Sequence, residues 1–370
     1  MMIHMLYAKV KRPDAERLRR LLAKMSLLDN RRQTEHSSSY IYFPLLNEDE
    51  KIKKLIDKAC AAIITKRSTG FAPSGSRKSF SEMARSIRKD SQLAKLSGGY
   101  DVIGDISIMD TGNGISRQKT AALGRSLMRG NSHVKVVLSK AGPVSGKYRT
   151  RRLRYVCGEK RYHTVHKENG CSFFMDVRKT FFSPRLAYER ARITSLVRDN
   201  EKVIVMFAGV GPFAVEIAKA HTGSHAVGIE LNRDSWRYMK YNIRLNKLAN
   251  ADAVFGNVDS VSRKYLGYAD RILMPLPMDS LRFIPAAIAM AKKRATIHIY
   301  AFCDTEGMGK GFAAKLRAAI SATGNVSMRI VGRRIVRPYS AKESEIVFDV
   351  IVDKKQRKSA LPRQTGHKRG

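Results

Sequence analysis

Acidic residues are scarce in this sequence: 32 Asp plus Glu stand against 70 Lys plus Arg, a formal net charge of +38 over 370 residues. Such an imbalance excludes the usual surface of an enzyme that handles small neutral metabolites. It draws polyanions, because Lys and Arg gain affinity by releasing counterions condensed on a phosphate backbone. Nucleic acid is the leading partner class, and a surface charged only for solubility is the alternative. Cysteine is scarce too: Cys60, Cys157, Cys171 and Cys303 are scattered with no C-x-x-C pair, so neither a structural metal site nor a disulfide framework is expected. No uncharged apolar run reaches the roughly 18 residues of a membrane span. The apolar run in Met1–Val10 stops at Lys11 and Arg12, too soon for a signal sequence. These absences lead us to expect a cytoplasmic protein with no membrane contact. A monomer is expected, since no isolated apolar helix offers a seam to a partner. What the sequence has is 43% hydrophobic residues, enough to bury at least one full core.

Patterning divides the chain. Residues 1–75 read as a small α+β domain, with strands at Leu6–Val10 and Tyr40–Phe43 and helices at Ala15–Leu28 and Glu48–Ile64. In the first helix Leu18, Leu21, Leu22 and Met25 recur at helical spacing, and the Gly/Ser-rich stretch Pro73–Lys78 marks the boundary. Residues 76–182 read as a second α+β domain that links to the third and binds RNA, with strands at Tyr100–Ile108, Val134–Leu138 and Cys171–Val177. Within it Arg149, Arg151, Arg152 and Arg154 lie between Tyr148 and Tyr155. That interleaving suits phosphates and stacked bases, or else a strand edge protected by charge. Residues 183–352 alternate strand and helix patterns, as in an α/β domain with a mostly parallel sheet, and close on a pair of long strands, Val326–Val336 and Glu345–Val352. Residues 353–370 read as a basic, disordered tail.

Three segments carry candidate chemistry. The turn Met206–Phe213 sets Gly209 and Gly211 between a buried strand and a helix, where backbone can approach a ligand closely. About twenty residues on, the next strand ends in Glu230, placed to accept both hydroxyls of a ribose. Ala214 stands where a dinucleotide fingerprint needs its third glycine and no G-K-[ST] follows, so S-adenosylmethionine fits better than a dinucleotide or a nucleotide triphosphate. In Phe182–Arg192, Ser183 suits a helix cap, Pro184 suits the first turn, and Arg185 and Glu189 share a face at i, i+4. Met274-Pro275-Leu276-Pro277 stiffens a loop at the carboxyl edge of the sheet, where ligands of open α/β sheets bind.

Taken in order, Phe182-Ser183-Pro184-Arg185-Leu186 with Glu189-Arg190, the turn Met206–Phe213 and the run Asp270–Pro277 resemble the archaeal and eukaryotic tRNA (guanine-37-N1)-methyltransferases. His166–Gly170 and Tyr100–Ile106 resemble the same family. The resemblance implies a class I, Rossmann-like methyltransferase domain with a mostly parallel seven-stranded sheet, preceded by two smaller α+β RNA-binding domains. The first of these would contact the outer corner of tRNA. It implies S-adenosylmethionine as cofactor, tRNA with guanine at position 37 as substrate, 1-methylguanosine as product, and no metal. Glu189 would be the general base at N1 and Arg149 the cation at O6. Arg190, Phe207, Gly209, Gly211, Glu230, Leu231, Asn257, Val258 and Pro275 would contact the cofactor. Ser183, Arg185 and Pro277 would contact the RNA. The chain departs from the family pattern at Val205 and Asn257, where Asp is common, and at Pro275, where Asn is common. Two rival activities share this fold: an aminocarboxypropyl transfer in wybutosine synthesis, and a dual methylation that also acts on a tricyclic guanine derivative. Retention of both Arg149 and Glu189 argues against the former. A non-catalytic tRNA-binding protein is disfavoured by the intact Gly209, Gly211 and Glu230.

Overall fold

The structure, a computed structural model, describes residues 4–11, 14–24, 35–36, 40–45, 63–68, 99–112, 115–146 and 150–354. Two units divide the chain, Met1–Ser86 and Ile87–Gly370. Expected features at Met25–Leu28, at 48–62, at the 75/76 boundary and at 355–370 lie outside the described residues.

In the N-terminal unit, β1 (His4–Lys11), α1 (Ala15–Lys24), β2 (Glu35–His36), β3 (Tyr40–Pro44) and β4 (Ile63–Ser68) form an antiparallel sheet of order β2-β3-β1-β4 with a helix. Leu18 and Leu22, one turn apart on α1, are fully buried against Ala8, Val10, Phe43 and Leu45. The helix expected to run to Ile64 is corrected at its end. Ile63 and Ile64 belong to β4, paired with Lys9 and Ala8, where β-branched side chains fit the pleat better than a helix.

The larger unit opens with β5 (Tyr100–Ile103), β6 (Ile106–Met109), α2 (Arg117–Arg129), β7 (Val136–Ser145) and β8 (Thr150–Gly158), in sheet order β5-β6-β7-β8. Tyr100–Ile108 is therefore two strands and not the single one expected. Gly104, at φ +56°, turns the chain, and a Cβ there would sit 2.1 Å from Thr164 Oγ1. Helix α2 has no counterpart in the sequence reading, because its buried face is sparse, with Leu123, Gly124 and Leu127. Along β8 the side chains alternate, so Arg152 and Arg154 face solvent while Arg151 turns inward.

Then come β9 (His163–Glu168), β10 (Cys171–Asp176), α3 (Ala187–Leu196), β11 (Lys202–Met206), α4 (Pro212–Ala220), β12 (His225–Glu230), α5 (Arg233–Leu245), β13 (Ala251–Phe255), α6 (Val258–Val261), β14 (Ala269–Met274), α7 (Ile284–Met290), β15 (Ala291–Asp304), α8 (Lys310–Ser321), β16 (Val326–Pro338) and β17 (Glu343–Lys354). Strands β9 and β10 form a hairpin, and the rest make a seven-stranded sheet of order β13-β12-β11-β14-β15-β17-β16. β17 is the one reversed strand, antiparallel to both β15 and β16. Asp353 and Lys354, assigned to the tail from sequence, close β17.

Strand alternation sorts the core into two faces. Ile204, Met206, Ile272, Met274, Ile297 and Ile299 pack on one side with α7 and α8. Val203, Val205, Leu273, Tyr300 and Val347 pack on the other with α3 and α4, in a core that also takes in Ile106, Leu138 and Phe173. The core is thus continuous across the 182/183 boundary expected from sequence. Asn242 on α5 and Asn246, which caps that helix one turn further on, clamp the β10 backbone as a neighbouring strand would. Asn246 accepts the Ser172 N–H (2.9 Å) and donates to the Ser172 carbonyl (2.7 Å). Asn242 accepts the Phe174 N–H (2.8 Å) and donates to the Val210 carbonyl (3.0 Å) in the glycine turn.

Asn242→Leu is expected to destabilise the chain by roughly 1–3 kcal/mol for each of the two backbone groups it strands. Urea unfolding measures this, and a change below about 0.5 kcal/mol would show that the clamp contributes nothing.

Candidate active site

The glycine turn lies where β11 hands over to α4. Gly209 and Gly211 have φ of +58° and +87°, and a Cβ on Gly211 would meet Met239 Cγ at 2.6 Å. Phe207 shares the left-handed region at φ +56°, its ring edge-on to Phe283 at 4.8 Å, a strained conformation of the kind that clusters at ligand sites. Glu230, at the end of β12, accepts the Gly209 N–H (2.7 Å) on one oxygen and the Asn232 N–H (2.6 Å) on the other. Burial pushes its carboxyl above the usual range, against the pull of these N–H groups. Each oxygen keeps a lone pair, so the Glu230 carboxylate can still take a ribose diol. A positive-φ turn with no room for a side chain at Gly211, and a carboxylate fixed across it, suit an adenosine-containing cofactor. Leu231 is half-buried beside Glu230. Asn257 caps α6 by accepting the Asp259 N–H (3.2 Å), and the Val258 side chain is buried in the core.

The chain just ahead of the Phe182–Glu189 segment lies against this turn: a Cβ on Gly209 would be 3.7 Å from the Phe181 carbonyl oxygen. Its start differs from expectation. Ser183 makes no capping hydrogen bond; its hydroxyl is buried without a partner among the described residues, and the chain enters α3 through a 3-10 turn at Pro184–Leu186. Arg185 does not pair with Glu189 along the helix. The Arg185 side chain, 56% exposed, donates to Asp101 at 2.7 Å, and Arg151 approaches the same carboxylate at 3.6 Å. Burial, together with Arg337 and Arg185, lowers the Arg151 pKa despite Asp101.

Glu189 is 3% exposed in the first turn of α3. Its Oε1 accepts the Tyr300 hydroxyl (2.8 Å) and Arg192 Nη2 (2.7 Å), and its Oε2 accepts Arg192 Nε (2.8 Å). Three donors hold the carboxylate in one orientation. Tyr300 comes from β15, and its ring lies 6.2 Å from that of Phe213, which follows the glycine turn. Pro275 and Pro277 are half-buried after β14, and the Pro277 carbonyl accepts the Phe302 N–H from the end of β15 (3.4 Å). Motifs far apart in sequence thus meet at the carboxyl edge of the sheet. Arg149 lies outside the described residues.

Arg190 is 1% exposed and answers buried carboxylates: Nε lies 2.6 Å from Glu168 and 3.4 Å from Glu216, and Nη2 donates to the Ser183 carbonyl (3.1 Å). His166 Nδ1 accepts the Gly104 N–H (3.0 Å), which puts the ring proton on Nε2, facing Glu168 at 3.2 Å. Burial raises Glu216 to about 8, against the Arg190 charge and a hydrogen bond from Asn169. Glu168 moves down, its burial outweighed by His166 and Arg190. At neutral pH Glu168 carries the charge and Glu216 the proton.

Sequence reasoning missed Tyr300 and Arg192 as the partners of Glu189, and the polar residues His298, Asp349 and Arg271 on the sheet face behind them. The available signal was a charged or polar residue inside otherwise apolar strands, as in Ile297-His298-Ile299 and Phe348-Asp349-Val350.

The strand order, the glycine turn after β11 and the acid ending β12 define a class I, Rossmann-like methyltransferase domain. The sequence matches the TRM5/TYW2 methyltransferase domain over residues 164–327, the tRNA methyltransferase 5 N-terminal domain over 9–54 and the TYW2 N-terminal domain over 80–161. It is 30% identical over 349 residues to the tRNA (guanine(37)-N(1))-methyltransferase Trm5b of Methanocaldococcus jannaschii, covering 94% of this chain and 98% of that protein. The crystal structure of Trm5b from Pyrococcus abyssi superposes with a TM-score of 0.66 at 28% identity, over 94% of this chain and 99% of that one. A complex of aTrm5 with tRNALeu gives 0.64 at 29% identity, over 94% and 99%. The chain belongs to the archaeal and eukaryotic tRNA (guanine-37-N1)-methyltransferase family.

A carboxyl raised by folding holds a proton that the unfolded chain releases above 4.5, so Glu216 costs the wild type stability as pH rises from 4.5 to about 8, and no more beyond. Glu216→Gln is neutral throughout and should lack that slope. Thermal melts of both proteins between about pH 5 and 8 test it, and a pH-independent difference in melting temperature would contradict the assignment.

Proposed function

We propose that this chain transfers the methyl group of S-adenosylmethionine to N1 of guanine 37 in tRNA, giving 1-methylguanosine, with Glu189 as general base. The activity is that named for its relatives. The observation that supports Glu189 in this role is its buried carboxylate, fixed by Tyr300 and Arg192 on the helix entered from beside Gly209. Glu230 would hold the cofactor ribose, with the Gly209–Gly211 backbone, Phe207, Leu231, Asn257, the Val258 backbone and Pro275 around the rest. When bound, the cofactor supplies an activated methyl group on a sulfonium.

The protein's own work is placement and proton transfer. A guanine lifted from its stack is set beside the Pro275–Pro277 loop, and Glu189 removes the N1 proton. Charge then builds on O6, where the Arg149 guanidinium stabilises it. Arg190 acts one layer back, tying Glu168 and Glu216 to the Ser183 carbonyl and so bracing the segment that leads to Glu189. Arg185 and Arg151, both on Asp101, leave one positive charge in excess for the RNA backbone. The N-terminal unit would contact the outer corner of the tRNA.

Purified protein with S-adenosylmethionine and an unmodified tRNA bearing guanine 37 is expected to yield 1-methylguanosine by mass spectrometry of the digested tRNA. Glu189→Gln should slow transfer by about 10²–10⁴-fold with tRNA affinity nearly unchanged. An aminocarboxypropyl adduct, or no product, would refute the activity; a collapse of tRNA binding would make Glu189 structural. Binding should weaken steeply, linearly in log affinity against log salt, and a flat response would reassign the basic excess to solubility.

A further inference from the structure

The sheet face beneath α3 carries a line of charge among apolar neighbours. Arg192 grips Glu189 with Nε and Nη2, and its Nη1 donates to Asp349 Oδ2 at 3.0 Å. Asp349 on β17 stands directly opposite His298 on β15, with Oδ1 2.6 Å from Nδ1. His298 Nε2 lies 2.8 Å from Arg271 Nη1, and Arg271 pairs with Glu201 at 2.6 Å. A guanidinium has no acceptor, so Nε2 must offer its lone pair and the proton must sit on Nδ1, donated to Asp349. His298 is therefore neutral, which agrees with burial lowering its pKa against the pull of Asp349. Burial alone would raise Asp349, but the hydrogen bonds from His298 and Arg192 hold it down to about 2. Charges alternate from Glu189 through Arg192, Asp349 and Arg271 to Glu201. Room is kept for the chain: a Cβ on Gly332, opposite Asp349 at a bulge in β16, would lie 3.2 Å from Asp349 Oδ2.

Replacing a buried ionic chain by apolar residues of similar volume is often neutral or stabilising, so stability alone does not account for this one. We propose that Arg192, Asp349 and His298 are positioning residues for Glu189: Asp349 shares the Arg192 guanidinium, and His298 fixes Asp349, so that Glu189 is aimed without being fully neutralised. The proposal rests on the reading of Glu189 as the base. The titratable and charged groups facing Glu189 among the described residues are Arg192 from its own helix, Tyr300 from β15 and, through Arg192, Asp349 from β17. On α4, Phe213, whose ring lies 6.2 Å from that of Tyr300, carries no charge. With Asp349 neutral, the whole guanidinium charge falls on Glu189, drawing it toward Arg192 and away from an incoming proton.

The test is a double-mutant cycle on the full chain: wild type, Asp349→Asn, Glu189→Gln and the double variant, in single-turnover methylation of a guanine-37 tRNA transcript with saturating S-adenosylmethionine, across about pH 5.5–9. In the wild-type background Asp349→Asn should slow transfer by about 10²-fold and move the acidic limb of the profile to lower pH, with KM for tRNA unchanged. In the Glu189→Gln background its effect should fall below about threefold, because the residue it acts through is gone. An equal loss in both backgrounds, or an unshifted profile at the wild-type rate, would overturn the proposal. Should Asp349→Asn fail to fold, Arg192→Lys, which keeps the charge and loses the fork, carries the same cycle with the same criteria. Wild-type activity in Glu189→Gln alone would refute the base assignment itself, which is distinguishable from a failure of the chain behind it.

Discussion

A carboxylate taken out of water must find donors or give up its charge, and the larger unit of this protein is organised around that constraint. Glu189 meets it with Tyr300 and the Nε and Nη2 of Arg192, Glu168 with Arg190 and His166, and Glu230 with the backbone N–H groups of Gly209 and Asn232. Glu216, left over in the Arg190 cluster, keeps a proton instead. Each solution places its residue where strand alternation and helix packing already send it. Arg271, His298, Tyr300 and Asp349 share one sheet face with Val203 and Leu273, so a polar line runs through an otherwise apolar layer.

This explains why part of the site was legible in the sequence and part was not. The turn at Gly209 and Gly211 could be read because positive φ selects glycine locally, and Glu230 because the acid must end the next strand. The alternation of strands and helices was visible in the hydrophobic pattern, including the long pair at the carboxyl end, Val326–Val336 and Glu345–Val352. Long-range pairing leaves no local trace. Arg185 looked like the partner of Glu189 at i, i+4, yet its carboxylate is Asp101, from the first strand of the same unit, and Glu189 turns to Arg192. Ser183 looked like a cap, but its hydroxyl is buried while its carbonyl takes the Arg190 guanidinium. Helix α2 escaped because Leu123 and Leu127 alone carry its apolar face, and the turn at Gly104 because the strands it joins are short and equally apolar.

The chemistry asked of these residues is modest, which suits the fold. Methyl transfer from an activated sulfonium needs placement, and the protein must add only a base at N1 and a cation at O6. A net charge of +38 serves the other half of the task, holding a polyanion while one base is presented. The departures at Val205, Asn257 and Pro275 leave this division intact. Val205 is buried in the sheet, Asn257 caps α6, and Pro275 stiffens the loop after β14.

The most direct measurement is a structure of the chain with guanine-37 tRNA and an unreactive analogue of S-adenosylmethionine. The expected result is a Glu189 carboxylate oxygen about 2.6–3.2 Å from N1 of the extruded guanine, with Arg192 still bridging to Asp349. A guanine whose N1 points away from α3, with no oxygen of Glu189 in reach, would contradict the role given to this carboxylate.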